Sequence, residues 1–105
     1  DMAALALDLA GSILGEGTAM LDEHGALLPP SSRALIEALV AQARDAVEES
    51  RTIMEQVSGT GAIAPHILSR SLRLSTVAQV KGRKAITLLR AARDAKAPAL
   101  DKAQP

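Results

Sequence analysis

The longest hydrophobic pattern in the chain predicts one helix over residues 30–58, in the middle of the sequence. Its apolar and small residues recur at alternating spacings of four and three, the heptad pattern that lets one helix lie along another. This row consists of Ile36, Val40, Ala43, Val47, Ser50, Met54 and Val57. A second row widens the apolar arc to roughly 140°, so we expect the helix to contact two neighbours. The second row consists of Leu35, Leu39, Ala46 and Ile53.

The segment 2–14 predicts a first helix that is apolar on nearly all sides. Met2, Leu5, Leu9 and Ile13 share one face, and further leucines lie off it. A helix with so little polar surface is expected to be covered on more than one side. The glycines of the following Gly15-Glu16-Gly17 favour an end or a kink in this helix.

A third helical region is predicted over 65–97, with a break near Ser75. If the region were one straight helix, Arg70 and Lys81 would lie inside the apolar stripe that contains Leu74 and Leu88. A break with Ser75 as an N-cap would move Arg70 out of the stripe, although Lys81 would remain.

These segments predict an all-α fold, namely a three-helix up-down-up bundle with a long central helix and a broken third helix. Residues 1–97 would form a single helical-bundle domain. The last residues, 98–105, begin with a proline and contain two charged side chains, so we expect them to form a disordered tail.

The composition restricts the core and the compartment. The chain has no Phe, Tyr or Trp, so its core must use aliphatic residues and alanine, which bury little area per contact. A core this thin would be helped by a second copy or a partner. No run of about 18 uncharged apolar residues is present, which predicts no membrane span, and the default localisation is cytoplasmic.

The charges are divided unevenly along the chain. Residues 1–58 carry ten acidic and three basic side chains, whereas residues 59–105 carry nine basic and two acidic ones. Such an asymmetry allows two interpretations. In the first, basic side chains of the third region pair with Glu37, Glu48 and Glu55 of the central helix; these basic residues are Lys81, Arg83, Lys84, Arg90 and Arg93.

In the second interpretation, the basic region binds DNA or RNA. Residues 66–86 have a helix-turn-helix rhythm with a short turn at Leu74-Ser75. The candidate phosphate contacts are Arg70, Arg73, Lys81, Arg83, Lys84 and Arg90. Against this interpretation, the turn is short, the acidic half repels phosphates, and no aromatic side chain is present to stack on a base.

No motif in the sequence predicts catalysis, a cofactor or a metal. The acidic and histidine side chains of Asp22-Glu23-His24 precede a glycine and are typical of a solvated turn. Gly15-x-Gly17 and Gly59-x-Gly61 lack the strand and the Lys-Ser/Thr pair of a phosphate-binding loop. We therefore expect no enzyme activity.

The sequence favours a non-enzymatic helical protein–protein interaction module that self-associates, of the adaptor, assembly or secretion-chaperone-like kind. The apolar helical surface exceeds what one small bundle can enclose. The alternative is a small DNA- or RNA-binding protein that uses the basic region. The candidate partner-binding residues are Leu5, Leu9, Ile13, Lys81 and Leu88.

Overall fold

The structure, a computed structural model, describes residues 2–58 and 65–103, and the side chains of these residues except 58 and 96–103. It contains three α-helices: α1 (Met2–His24), α2 (Pro30–Ser58) and α3 (Pro65–Ala103). A short 3-10 turn, Gly25–Leu27, joins α1 to α2. No strand occurs in the described ranges. The prediction of an all-α, three-helix arrangement is confirmed.

Helix α2 begins and ends at the predicted residues, and its heptad row faces the core. Ile36, Val40, Ala43, Val47 and Ser50 are all buried. The prediction of two neighbours is also correct, because buried α2 residues share one apolar cluster with Ala10 of α1 and Ala78 of α3. Leu35 is an exception in the second row: it is 51% exposed and lies at the edge of the apolar arc.

Helix α1 extends ten residues beyond the predicted end at Leu14, so an end of the helix at Gly15–Gly17 is wrong. Gly17 is buried, and a Cβ atom there would lie 3.7 Å from Ile86 of α3. The missing side chain of Gly17 lets α1 and α3 pack closely. From the sequence alone, a glycine with this role looks the same as a glycine that ends a helix.

Helix α3 is continuous, so the break predicted near Ser75 is wrong, and with it the helix-turn-helix turn at Leu74-Ser75. Ser75 is no N-cap: its buried hydroxyl lies 3.1 Å from the hydroxyl of Ser50 on α2. The break is not needed to bring Arg70 out of the core, because in the continuous helix Arg70 is exposed and bonds Glu49 of α2.

Helix α3 also continues through Pro98 to Ala103, whereas a disordered tail was predicted over 98–105. The single-domain division at 1–97 stays a prediction.

The residue numbers of contacting pairs show the relative directions of the helices. Between α1 and α3 the numbers increase together, from Ala6 with Gln79 to Glu16 with Arg90. Along α2 and α3 they run in opposite order, from Ser50 with Ser71 to the cluster that joins Ile36 to Leu89. Helices α1 and α3 are therefore parallel and α2 runs against them. This is the order that an up-down-up bundle requires.

The helices approach most closely where small residues face each other. Ala43, Ala78 and Ala85 are fully buried in the seam between α2 and α3. Between α1 and α3, a Cβ atom built on Gly82 would lie 2.7 Å from Cγ2 of Ile13, well inside van der Waals contact. Close backbone approach increases the number of dispersion contacts available to a core without aromatic side chains.

Replacing Ala43 by leucine should destabilise the fold by roughly 1–3 kcal/mol, because the larger side chain overpacks a seam with no free space. The measurement is the midpoint of thermal unfolding, followed by circular dichroism at a fixed protein concentration. The matched control is Ala41→Leu on the exposed side of the same helix, which should change the midpoint little. An unchanged midpoint for Ala43→Leu would show that the seam is loose.

Candidate interaction surface

Three buried serines form the principal polar group in the interior. The hydroxyl of Ser50 on α2 lies 2.7 Å from the hydroxyl of Ser71 and 3.1 Å from that of Ser75, both on α3. It also donates to the backbone oxygen of Ser71 at 3.2 Å. All three side chains are fully buried, and in the described part of the chain no buried side-chain polar atom lacks a partner. The group is satisfied and closed to solvent, so it joins helices rather than binding a ligand.

Three of the seven exposed large hydrophobic residues in the described ranges lie on one side of α1. Met2, Leu5 and Leu9 are 76%, 68% and 45% exposed and recur at spacings of three and four, so they form a stripe on one face of the helix. We call these three residues the α1 stripe. Ile13 continues the spacing but is buried against Gly82, so it belongs to the core.

The other two candidate partner-binding residues lie elsewhere. Leu88 packs, partly buried, against the core cluster that contains Ile36 and Leu89. Lys81 is half-buried on α3 and makes no ion pair with any residue that the structure describes. Of the five candidates, the structure therefore brings only Leu5 and Leu9 together on an exposed face. Met2, which is exposed beside them, follows the same helical spacing but was not among the five candidates.

The register of the bundle separates Lys81 from the carboxylates expected to pair with it. Ala78 packs near Ala43 and Ala85 near Val40, so Lys81 lies level with the stretch of α2 between them. Glu48 is then about 8 Å and Glu55 about 18 Å farther along the helix axis. Neither pair forms among the described residues, which favours a lysine whose stem covers apolar surface while its ammonium group reaches water.

Replacing Lys81 by methionine, which keeps the stem and removes the charge, should leave the melting midpoint unchanged or slightly raised. The measurements are thermal unfolding and sedimentation equilibrium on the same samples. A fall of several degrees would show that the ammonium group has a shielded partner. An unchanged melt with weakened association would instead place Lys81 in the interaction surface.

Ion pairs between the acidic and basic halves do form, but with other partners than predicted. Arg70 bonds Glu49 at 2.5 Å, and Arg90 bonds Glu16 of α1 at 2.9 Å. Glu37 is occupied by Arg33 one turn earlier in the same helix. All of these side chains are about half exposed, so each pair contributes little to stability.

The basic residues proposed for nucleic-acid binding do not share one face of α3. Arg73 and Lys84 lie 11 residues, about three turns, apart on the same side, whereas Arg83 points about 100° away from Lys84. Arg73, Arg83 and Lys84 are exposed and form no ion pair within the described ranges. Nucleic-acid binding stays a prediction, but the helix-turn-helix that suggested it is absent, because α3 is one continuous helix.

Among the described residues, two shallow clefts lie between helices. One, of about 120 Å³, is mostly apolar and lies between the start of α2 and the C-terminal half of α3, beside Leu35, Ile36 and Leu88. The other, of about 310 Å³, lies between α1 and α3 and has Arg83, Arg90 and Glu16 on its walls. In the latter, the Glu16 carboxylate neutralises Arg90, so among the described residues Arg83 is the one uncompensated charge on its walls.

Among the residues that the structure describes, no group of three His, Cys, Asp or Glu side chains is placed to hold a metal ion.

One helical segment, Met2–Leu27, is long and apolar enough to cross a membrane by length and composition alone. It was not predicted as a membrane span because Asp8 interrupts the apolar run. Core helices of soluble proteins and signal sequences pass the same test, so it does not decide the location of the chain.

No protein-family model, curated protein or solved structure matches this chain. Its function must therefore be argued from its own surface.

Proposed function

We propose that this chain is a non-enzymatic helical interaction module that associates with a second copy through α1. The observation that carries the proposal is the α1 stripe, in which three large apolar side chains lie exposed on one helix face. Single exposed apolar residues are common on proteins, whereas a contiguous row at helical spacing is typical of a surface that binds another helix.

The composition supports the same proposal. The core of the bundle contains no aromatic residue. Of the fourteen buried hydrophobic residues in the described ranges, eight are larger than alanine and the other six are alanines, which bury little area. Covering the α1 stripe with a second copy would add buried apolar area, at about 25 cal/mol per Å² removed from water. A module of this kind would serve as an adaptor, an assembly subunit or a secretion-chaperone-like protein.

The proposal predicts a dimer or larger assembly at micromolar concentration. Sedimentation equilibrium with interference optics measures it, because the chain has no Trp or Tyr for detection at 280 nm. Replacing Leu5 and Leu9 by glutamate should give a helical monomer of 10.9 kDa, because two charges on the α1 stripe would be desolvated in the interface.

The matched control is Leu35→Glu, which places the same charge on an exposed leucine of α2. This variant should associate like the wild type. A wild-type chain that is monomeric across the micromolar range would contradict the proposed function, and so would a Leu5→Glu/Leu9→Glu variant with unchanged mass.

DNA or RNA binding has less support, because the exposed cations of α3 are spread over different faces. A mobility-shift titration at low and then moderate salt tests it. Binding that is retained at moderate salt and lost on reversing Arg73 and Arg83 would favour this alternative.

A further inference from the structure

Helix α3 has a second exposed row on its solvent side. Arg73, Val77, Val80 and Lys84 follow spacings of four, three and four, and the two valines are 45% and 59% exposed. We call these four residues the α3 row. The side-chain amide of Gln79 donates to the backbone oxygen of Ala6, which places the valines level with Leu5 and Leu9. The α1 stripe and the α3 row therefore lie at the same height on two parallel, adjacent helices.

The charges beside the two rows have opposite signs. Asp8 lies between Leu5 and Leu9 in the sequence of α1, is exposed, and has no ion-pair partner among the described residues. Arg73 and Lys84 flank the valines of the α3 row and are likewise exposed without an ion pair in the described ranges. Each row thus lacks the charge that the other carries, which is the complementarity expected of two surfaces that bind each other.

We propose that the α3 row of one copy is the binding site for the α1 stripe of a second copy, and that the contact is made twice around a two-fold axis. This inference rests on the proposed self-association and names its partner surface. Because α1 and α3 are adjacent and their rows are level, a two-fold axis that runs parallel to the helices brings Leu5 and Leu9 of each copy against the valines of the other.

The electrostatic contact fits the same arrangement. For a two-fold axis parallel to the helices, Asp8 of one copy lies about 7 Å along the helix axis from Lys84 of the other. An arginine or lysine side chain spans such a distance. Two carboxylates and four cations would then be shared between the two contacts.

The available surface is large enough for a dimer. Two adjacent helices that are about 10 Å wide and run together for about 35 Å present a face of about 700 Å² per copy. Stable interfaces bury about 800 Å² per partner. The face formed by α1 and α3 is therefore within the range of standard interfaces, about 600–1,000 Å² per partner.

Charge exchange between two variants tests the inference. Asp8→Lys places a cation against Arg73 and Lys84, and the variant Arg73→Glu/Lys84→Glu places carboxylates against Asp8. Each variant alone should dissociate at least about ten-fold more readily than the wild type, because like charges meet in both contacts. An equimolar mixture should restore association, since each hetero-contact is then either wild type or fully exchanged. Sedimentation equilibrium measures all samples, and circular dichroism checks that each variant is helical.

The other outcomes are distinguishable. A monomeric wild type contradicts both this inference and the proposed function. If Leu5→Glu/Leu9→Glu is monomeric while Arg73→Glu/Lys84→Glu associates normally, self-association stands and the α3 row is not its partner surface. A mixture that fails to restore association overturns the inference as well. So does binding of wild-type protein to vesicles containing phosphatidylserine that is lost in Arg73→Glu/Lys84→Glu without any change in self-association, because the α3 row would then serve an anionic lipid surface.

Discussion

Replacing Gly82 by leucine should destabilise the bundle by about 2 kcal/mol, even though leucine favours a helix more than glycine does. A Cβ atom at this position would lie 2.7 Å from Cγ2 of Ile13. Ile13 is β-branched, so its Cγ2 atom cannot move without a change of rotamer or of backbone position. The added side chain must therefore push α1 and α3 apart along their common seam. For a domain of about 100 residues, the melting midpoint should fall by about 10 °C.

Gly15→Leu is the matched control on the other helix. A Cβ atom at Gly15 meets nothing within 4 Å, so the same replacement should stabilise the fold by about 0.5–1 kcal/mol through helix propensity alone. In addition, Ile13→Ala should cost less in the Gly82→Leu background than in the wild type, because the two side chains compete for one space. Equal and additive effects of these changes would show that Ile13 and Gly82 are not in contact.

The central helix was predicted correctly because its own sequence contains all the necessary information. The heptad row from Ile36 to Val57 has one phase throughout, a proline begins the helix, and a Ser-Gly pair follows it. Burial then followed the pattern at nearly every position. In the two apolar rows, Leu35 at the edge of the arc is the residue that the structure leaves exposed.

The errors in α1 and α3 arise where a residue's role depends on another helix. Gly17 resembles a helix end in the sequence, but it allows α1 to approach Ile86. Ser75 resembles an N-cap, but its hydroxyl is bonded to Ser50, which is 25 residues away. A single sequence pattern contains the local preference of a residue and not the surface that it meets, so the tertiary contact decided these positions.

The candidate surface was predicted in part for the same reason. Helical spacing put Leu5, Leu9 and Ile13 on one face of α1, and the structure divides that face between solvent and the core at the point where Gly82 admits Ile13. The α3 row was not identified, because Val77 and Val80 lie outside the apolar stripe that contains Leu74 and Leu88. Their spacing relative to Arg73 and Lys84 was the available signal.

The serine cluster gives the contact between α2 and α3 a definite register. Hydrophobic contacts between alanines tolerate sliding by one turn, whereas the hydroxyl of Ser50 meets both Ser71 and Ser75 in only one register. Buried polar groups with satisfied hydrogen bonds have this use in other helical assemblies, where they specify register at some cost in stability. For this chain, it is a hypothesis that the following variants test.

Replacing Ser50 by leucine should destabilise the fold by about 3 kcal/mol or more, the larger of the effects expected at the α2–α3 seam. The leucine overpacks a fully buried site, which costs about 1–3 kcal/mol, and the hydroxyls of Ser71 and Ser75 lose their shared partner, which costs about 1–3 kcal/mol for each group left unsatisfied. Ser69→Leu, at an exposed position of α3, is the matched control and should change stability by less than about 0.5 kcal/mol.

Alanine variants separate the hydrogen bonds from the packing. Ser50→Ala alone should cost about 2 kcal/mol or more, because it leaves two buried hydroxyls without their partner, at about 1–3 kcal/mol each. The triple variant Ser50→Ala/Ser71→Ala/Ser75→Ala should cost less than the sum of the single changes, since donors and acceptors are removed together. If the cluster sets the register, the triple variant should also lose native hydrogen-exchange protection in α2 and α3 before it loses helix content. Strictly additive costs and unchanged protection would show that the three hydroxyls act independently and do not fix the alignment of the two helices.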